Sequence, residues 1–164
     1  MVLQASTSCR LGHQGERLVG HIESHKDLLA WQKAVELATK VYAATRLLPS
    51  DERWGLCSQM RRAAVSIPSN IAEGAARKNR AEFLQFLYIS RASLAELETQ
   101  MTIALEQGFL SADQSGLEHI EEVGRILNGL ISRLASAHRE AHANACAPHS
   151  RKGLRSGSEL TANR

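Results

Sequence analysis

The feature that most constrains the fold of this sequence is a heptad pattern of small and apolar residues between residues 83 and 104. Asn79 followed by Glu82 is a capping pattern just before it, and Gly108 is a suitable end. Steps of four and three place side chains on one face of an α-helix. The pattern therefore predicts a helix of about six turns. The residues of the pattern are Phe83, Leu87, Ser90, Leu94, Leu97, Met101 and Ala104.

Two segments upstream have the same helical periodicity. The first begins at Leu28, after a predicted N-cap at Asp27, and ends before Pro49. The second follows a predicted cap at Ser50, and Gly74 is its predicted end. Both segments combine an apolar arc with a polar one, which is typical of helices that bury one face.

Pro68 lies inside the apolar pattern of the second segment. A proline removes one backbone hydrogen bond and frees a carbonyl one turn earlier. Because the apolar pattern continues in register beyond it, we expect a kink rather than an end of the helix. Ser66, Ser69 and Asn70 are short polar residues that are expected to satisfy the freed carbonyl.

A fourth helix is predicted from a cap at Ser111 to Ala135. Four amphipathic helices joined by short loops indicate an all-α fold, an antiparallel up-down-up-down four-helix bundle with the second helix kinked at Pro68. The expected organisation is a flexible N-terminal extension over residues 1–26, a bundle domain over 27–135 and a basic flexible tail over 136–164.

Cysteine usage and hydropathy indicate a cytoplasmic protein. Cys9, Cys57 and Cys146 are far apart and form no CxxC pair, which favours neither a disulfide framework nor a zinc site. The first residues lack the apolar core of a secretory signal, and no run of 18 apolar residues exists that could span a membrane. We therefore expect a protein of the cytoplasm with no membrane partner.

The sequence displays no constellation typical of catalysis. Ser66 and Ser69 have no histidine at helical spacing, and no glycine-rich loop precedes a helix to hold a nucleotide. His138 and His142 are four residues apart but lack the carboxylate of an HExxH site. Cys57 lies at the edge of an apolar arc and is interpreted as a packed thiol. The prediction is a non-enzymatic protein with no cofactor and no metal.

Charge divides the predicted domain into a basic and an acidic half. Residues 53–91 contain seven basic and two acidic residues, whereas residues 92–135 contain two basic and seven acidic residues. A basic surface attracts phosphate without base selectivity. Tail arginines could add contacts (Arg151, Arg155 and Arg164). The predicted nucleic-acid-binding residues are Arg61, Arg62, Arg77, Lys78 and Arg80.

Apolar rows beyond those needed for the seams indicate an oligomer. The candidates on the first helix are Leu37, Val41 and Leu48, and the predicted oligomer interface on the third helix comprises Leu84, Tyr88, Ala92 and Ala95. Glu96 falls between the two apolar rows of the third helix. It is expected to form a buried ion pair with Arg61 or Arg62 that fixes helix register.

The segment 59–74 reads QMRRAAVSIPSNIAEG and resembles the four helix bundle protein family, found in the intervening sequences of bacterial large-subunit ribosomal RNA genes and also called S23. The segments DLLAWQKA (27–34), EFL (82–84) and ELETQ (96–100) match as well, so the resemblance covers residues 27–135. It implies a homopentamer packed around an axial channel. The motif residues interpreted as structural or channel-lining are Gln59, Pro68, Ser69, Asn70, Glu73 and Gly74.

The family is distantly similar to the accessory variability protein of diversity-generating retroelements, a basic pentameric bundle that binds a reverse transcriptase and nucleic acid. The resemblance and the charge pattern together predict a homo-oligomeric scaffold, pentameric by resemblance, that binds structured RNA or RNA/DNA without sequence specificity. The alternative is a protein-interaction module without intrinsic nucleic-acid binding. Its acidic face would dock a basic partner such as a reverse transcriptase or another RNA-handling protein.

Overall fold

The computed structural model describes residues 24–145, with the side chains of residues 24–140. Within that range the chain is all-helical and contains no strand, as the periodicity predicts. Short 3₁₀ turns at His25–Asp27 and Ser50–Arg53 precede the first two helices. The α-helices are α1 (Leu29–Ala44), α2 (Leu56–Ala75), α3 (Arg80–Glu106), the single-turn α4 (Ala112–Ser115) and α5 (Leu117–Ala145).

The four long helices enclose one apolar core, which is compatible with a helical bundle. α2 makes its most extensive contact with α3, α1 contacts α2 and α5, and α3 contacts α5. The heptad pattern of α3 is confirmed, because all seven of its residues are buried. The other helices each contribute fully buried side chains to the same cluster, among them Leu37, Met60, Ile67 and Leu127.

Both predicted ends of α3 are confirmed by their hydrogen bonds. The Asn79 side chain accepts the Glu82 N–H at 2.8 Å. At the other end Gly108 has φ of 70°, the left-handed conformation that glycine adopts most readily. The Phe109 N–H reaches the Ala104 carbonyl at 2.9 Å, which closes a Schellman motif. Local sequence chemistry therefore determines where this helix begins and ends.

The predicted caps of the first two helices are wrong. Asp27 belongs to the preceding 3₁₀ turn, where its carboxylate accepts the Ser24 N–H at 3.0 Å, and α1 begins after Leu28 without a side-chain cap. Ser50 likewise starts a 3₁₀ turn and not α2. The first N–H of α2 is instead satisfied by Glu52, whose Oε2 accepts it at 3.0 Å. Capping residues open any tight turn, so they do not distinguish an α-helix from a 3₁₀ turn.

The predicted cap Ser111 forms a capping box with Gln114, but this box opens the single-turn α4. Gly116 (φ 64°) separates α4 from α5. α5 continues to Ala145, ten residues beyond the predicted boundary at Ala135. Alanine-rich sequence with high helix propensity sustains the helix there without an apolar seam. The remaining parts of the predicted terminal segments, with Cys9, Cys146 and the tail arginines, lie outside the described residues. None of the described helices is long and apolar enough to cross a membrane.

The first-helix set of candidate interface residues, and one member of the third-helix set, require correction. Leu37, Val41 and Leu48 are buried within the domain, because α1 packs on both α2 and α5 and needs two apolar rows. Leu84 is also buried, with 8% of its surface exposed. By contrast, Tyr88, Ala92 and Ala95 lie on the exposed side of α3. Of the predicted interface residues, these three remain available for contact with another molecule.

Candidate functional site

The sequence motif at residues 59–74 forms the contact between α2 and α3. The hydroxyls of Ser66 and Ser93 are 2.9 Å apart, and Asn70 Nδ2 donates to both Oγ and the carbonyl of Ser66, at 2.9 and 2.8 Å. One turn along, the buried Ser90 hydroxyl of α3 donates to the Ile67 carbonyl at 3.1 Å. Small hydroxyl-bearing residues therefore allow the two helices to approach closely and bond them together.

α2 runs without interruption through Pro68, so the proline does not end the helix, as predicted. A helical proline leaves the carbonyl four residues earlier, that of Ala64, without its usual donor. The expectation that nearby polar side chains satisfy this carbonyl is wrong. In this part of the chain their hydrogen bonds reach the carbonyls of Val65, Ser66 and Ile67 instead.

Gly74 has a different role from the predicted one. It lies inside the last turn of α2, which ends at Ala75, and its φ is not positive. A Cβ at this position would lie 2.7 Å from Phe86 Cβ and 2.8 Å from Phe83 Cδ2. Glycine is required here because α3 passes too close for any side chain. The buried motif residues, Pro68 and Gly74, are therefore packing residues, whereas Gln59, Ser69 and Glu73 retain solvent exposure.

Arg61 and Arg62 are adjacent in sequence but contact different helices. Arg61 reaches α1, where its Nε donates to Thr45 Oγ1 at 2.8 Å and its guanidinium lies 5.2 Å from the Tyr42 ring centroid. Arg62 reaches α3 and lies 3.7 Å from a carboxylate oxygen of Glu96. The predicted partner of Glu96 is thus present, but the pair is not buried, because the side chains are 71% and 47% exposed.

Arg77, Lys78 and Arg80 form the exposed turn between α2 and α3, which we call the basic turn. Arg77 pairs with Glu73 and lies 4.9 Å from the Phe86 ring centroid. Lys78 and Arg80 form no ion pair with any residue between 24 and 140. Arg62 and Arg77 are fifteen residues apart, which is about 22 Å along a helix. The five predicted cations therefore form two groups and not one surface.

Three exposed aromatic side chains, each with an arginine over its ring, were not predicted. Arg53 lies 5.5 Å from the Trp54 ring and Arg91 lies 5.0 Å from the Tyr88 ring, in addition to the pair formed by Arg61. The i,i+3 spacing of Tyr88 and Arg91 in α3 could have revealed one of them, whereas the adjacent Arg53 and Trp54 give no such signal. The Tyr42–Arg61 pair joins different helices and leaves no local signal.

The described residues outside these surfaces present little reactive chemistry. Cys57 is buried, and its Sγ donates to the Thr45 carbonyl at 3.3 Å, as expected of a packed thiol. Between residues 24 and 140 no three His, Cys, Asp or Glu side chains are placed to hold a metal ion. The side chain of His142 lies outside that range, so the predicted histidine pair is not described.

Comparison with known proteins agrees with this architecture. A solved structure of unknown function from the S23 ribosomal protein family of Bacteroides thetaiotaomicron VPI-5482 aligns with a TM-score of 0.58 and 21% sequence identity. The alignment covers 63% of this chain and 98% of that chain, which shows a shared fold. No curated protein matches the sequence. The family model of the 23S rRNA-intervening sequence protein matches residues 26–129, and the chain therefore belongs to that family.

Proposed function

We propose that this protein is a non-enzymatic, homo-oligomeric scaffold that binds structured RNA or RNA/DNA without sequence specificity, with the basic turn as its contact. The observation that carries the proposal is the pair Lys78 and Arg80, exposed and without an acidic partner among the described residues. We also propose that the four long helices form an antiparallel up-down-up-down bundle, with α2 kinked at Pro68. The protein would act in the cytoplasm. The name of the family also connects its members with ribosomal RNA.

The chemistry of the basic turn favours phosphate over bases. Lysine and arginine on a convex turn neutralise backbone charge and release counterions, but they have no fixed geometry against base edges. Each phosphate contact to duplex changes the slope of log K against log salt concentration by about −0.9. Because Arg77 is already paired with Glu73, Lys78 and Arg80 supply the main contribution, a slope of about −1.8 per engaged turn.

The outward side of α3 supports an oligomer. Tyr88, Ile89 and Ile103 are 40–46% exposed, and the small residues Ala92 and Ala95 lie among them. Exposed apolar residues gathered on one helix mark an interaction surface more often than a free surface. We propose this side of α3 as the subunit interface, and a pentamer as the assembly, following the resemblance. Repetition of the basic turn around a ring would multiply its field.

A matched pair of double variants tests the basic turn. Lys78→Ala/Arg80→Ala removes two cations from the turn, and Arg125→Ala/Arg133→Ala removes two from α5; none of the four pairs with an acidic residue between 24 and 140. Fluorescence anisotropy with a 20-base-pair RNA duplex, from 50 to 300 mM NaCl, gives the salt slope, and light scattering gives the mass. We expect the slope to become less negative by about 1.8 in the first variant only. Unchanged binding, or an equal loss in both variants, would contradict the assignment.

The second candidate function is docking of a basic protein. Its specific support is a groove of about 170 Å³ between α3 and α5, whose lining includes the acidic Glu98 and Glu121 against the single basic residue Arg91. These carboxylates could receive lysines or arginines of a reverse transcriptase or another RNA-handling protein. This function requires that the protein fail to bind RNA at 50 mM NaCl. It also requires that Glu98→Gln/Glu121→Gln weaken direct binding to such a partner.

A further inference from the structure

We propose that the α1–α2 end of the domain carries a second site, which stacks the unpaired bases of single-stranded nucleic acid on Trp54 and Tyr42. This site extends the proposed function, because it differs from the basic turn in its place, its chemistry and the nucleic acid it selects. It comprises two aromatic rings and the two arginines over them, Arg53 and Arg61. We call these four side chains the stacking site.

Trp54 is the most exposed large apolar residue among those described, with 84% of its surface in contact with solvent. Its backbone is nevertheless held firmly, because the Ser58 hydroxyl donates to the Trp54 carbonyl at 3.2 Å. Glu52 fixes the adjoining turn by accepting the first N–H of α2. The Arg53 guanidinium covers the ring at 5.5 Å from its centroid. The indole is therefore presented on a fixed support, and an arginine adds the cation that a neighbouring phosphate requires.

Tyr42 repeats this arrangement on α1. The ring is 41% exposed, and the Arg61 guanidinium lies 5.2 Å from its centroid. Arg61 is oriented by its hydrogen bond to Thr45, whose hydroxyl in turn donates to the Tyr42 carbonyl at 3.1 Å. These bonds hold the ring and the cation in a defined relation before any ligand arrives. Little side-chain entropy is then lost on binding.

The two rings lie along one face of the domain. Trp54 lies in the turn just before α2, and the Ser58 hydroxyl of α2 donates to its carbonyl at 3.2 Å. Ser58 and Arg61 are three residues apart and share a side of α2. Arg61 therefore lies about one turn along α2 from the residue that bonds to Trp54. Because the Arg61 guanidinium lies over the Tyr42 ring, Tyr42 lies against this same side of α2. Both rings can therefore meet bases of one short strand.

The two arginines of the stacking site are available to phosphate groups. Neither Arg53 nor Arg61 forms an ion pair within the described part of the chain. The two acidic residues nearby keep their charge but bond elsewhere, since Glu52 accepts the first N–H of α2 and Asp51 Oδ1 accepts the Ser50 hydroxyl at 3.4 Å. Aromatic rings beside unpaired arginines are the combination by which proteins bind single strands with little sequence preference. Duplex bases are already stacked on one another, so the site selects unpaired bases.

The test uses the full chain and two probes, fluorescein-labelled decauridylate and a 20-base-pair RNA duplex, by anisotropy at 50 mM NaCl. The substitutions are Trp54→Ala and Tyr42→Ala, with Trp54→Phe to retain a ring. Leu29→Ala is the control, because Leu29 is an apolar side chain of intermediate exposure (54%, between Tyr42 and Trp54) at the opposite end of α1 from Tyr42. The chain has two tryptophans, so Trp31→Phe leaves Trp54 as the only fluorescent indole.

We expect each alanine substitution to weaken decauridylate binding by about 5- to 150-fold, the range of one stacked base, and to change duplex binding less than twofold. Trp54→Phe and Leu29→Ala should bind decauridylate within about threefold of the wild type. In the Trp31→Phe protein, decauridylate should quench the Trp54 emission. Light scattering should give every variant the mass of the wild type.

Three results would overturn the stacking site. The first is decauridylate binding that survives both alanine substitutions, or no binding of decauridylate at all. The second is an equal loss for both probes, and the third is a lower mass for Trp54→Ala, which would assign the indole to a subunit contact. If duplex binding depends on Lys78 and Arg80 while decauridylate binding does not depend on Trp54, only the stacking site fails. If decauridylate binding depends on Trp54 and the duplex does not bind, only the basic turn fails.

Discussion

Substituting Gly74 tests how closely α2 and α3 must pack for this fold to exist. In a solvated helix, alanine is more favourable than glycine by about 1 kcal/mol. In this protein the new Cβ would lie 2.7 Å from Phe86 Cβ and 2.8 Å from Phe83 Cδ2. The Phe86 Cβ is attached directly to the backbone, so a rotamer change cannot move it away. The two helices must separate, and the most extensive interface of the domain must adjust with them.

The magnitude follows from the difference of these two effects. Overpacking in a well-packed core costs about 1–3 kcal/mol, and two contacts below 3.0 Å place Gly74 in the upper part of that range. After the helical gain of about 1 kcal/mol is subtracted, Gly74→Ala should lower the free energy of unfolding by about 1–2 kcal/mol. With a urea m-value of about 2 kcal/mol/M, the unfolding midpoint should fall by about 0.5–1 M.

The chain contains a matched control for this experiment. Gly129 lies in the interior of α5, and a Cβ there would meet nothing within 4 Å. Gly129→Ala should therefore raise the free energy of unfolding by about 0.5–1 kcal/mol. Urea unfolding of both variants, followed by circular dichroism at two protein concentrations, separates folding from assembly. A Gly74→Ala protein as stable as Gly129→Ala would refute the argument from close approach.

Two further outcomes follow from individual contacts. Ser90→Ala should lower the free energy of unfolding by about 1 kcal/mol in the same urea assay, because it removes a buried hydroxyl that donates to the Ile67 carbonyl. As a control, Thr99→Ala removes an exposed hydroxyl and should stay within about 0.5 kcal/mol of the wild type. A hydrogen bond to Glu36 (3.0 Å) and the charge of Glu122 raise the pKa of Lys33. The attraction between Lys33 and these two carboxylates is present at neutral pH and is lost as the pH rises through the raised pKa of Lys33. Glu36→Gln should therefore shift the titration of Lys33, followed by NMR, to lower pH.

The helices of this protein could be predicted from sequence because their determinants are local. The buried row from Phe83 to Ala104, the Asn79 cap and the Gly108 end all depend on residues within a few positions of one another. The errors occur where local chemistry permits two outcomes. Ser50 can open a 3₁₀ turn as readily as an α-helix, and an alanine-rich segment without an apolar seam can continue a helix to Ala145.

The candidate sites could not be predicted in the same way, because they depend on which helices become neighbours. Leu37 and Val41 form a second apolar row that suggests an external interface until α5 is known to cover it. Arg61 and Arg62 look like one basic pair, yet their side chains reach different helices, to Tyr42 and to Glu96. Net charge per segment does not contain this information, because a helix distributes successive side chains around its axis.

The position of the motif explains why its polar residues and its cations have different roles. Ser66 and Gly74 are taken up by the contact with α3, and the Asn70 amide donates to Ser66 within α2, so these residues are engaged inside the domain. The rigid α2 that results is about 30 Å long. It holds the basic turn at one end and Trp54 at the other. A helix that could bend freely would not keep a phosphate contact and a stacking contact at a fixed separation, so the packing residues determine the geometry on which both proposed sites depend.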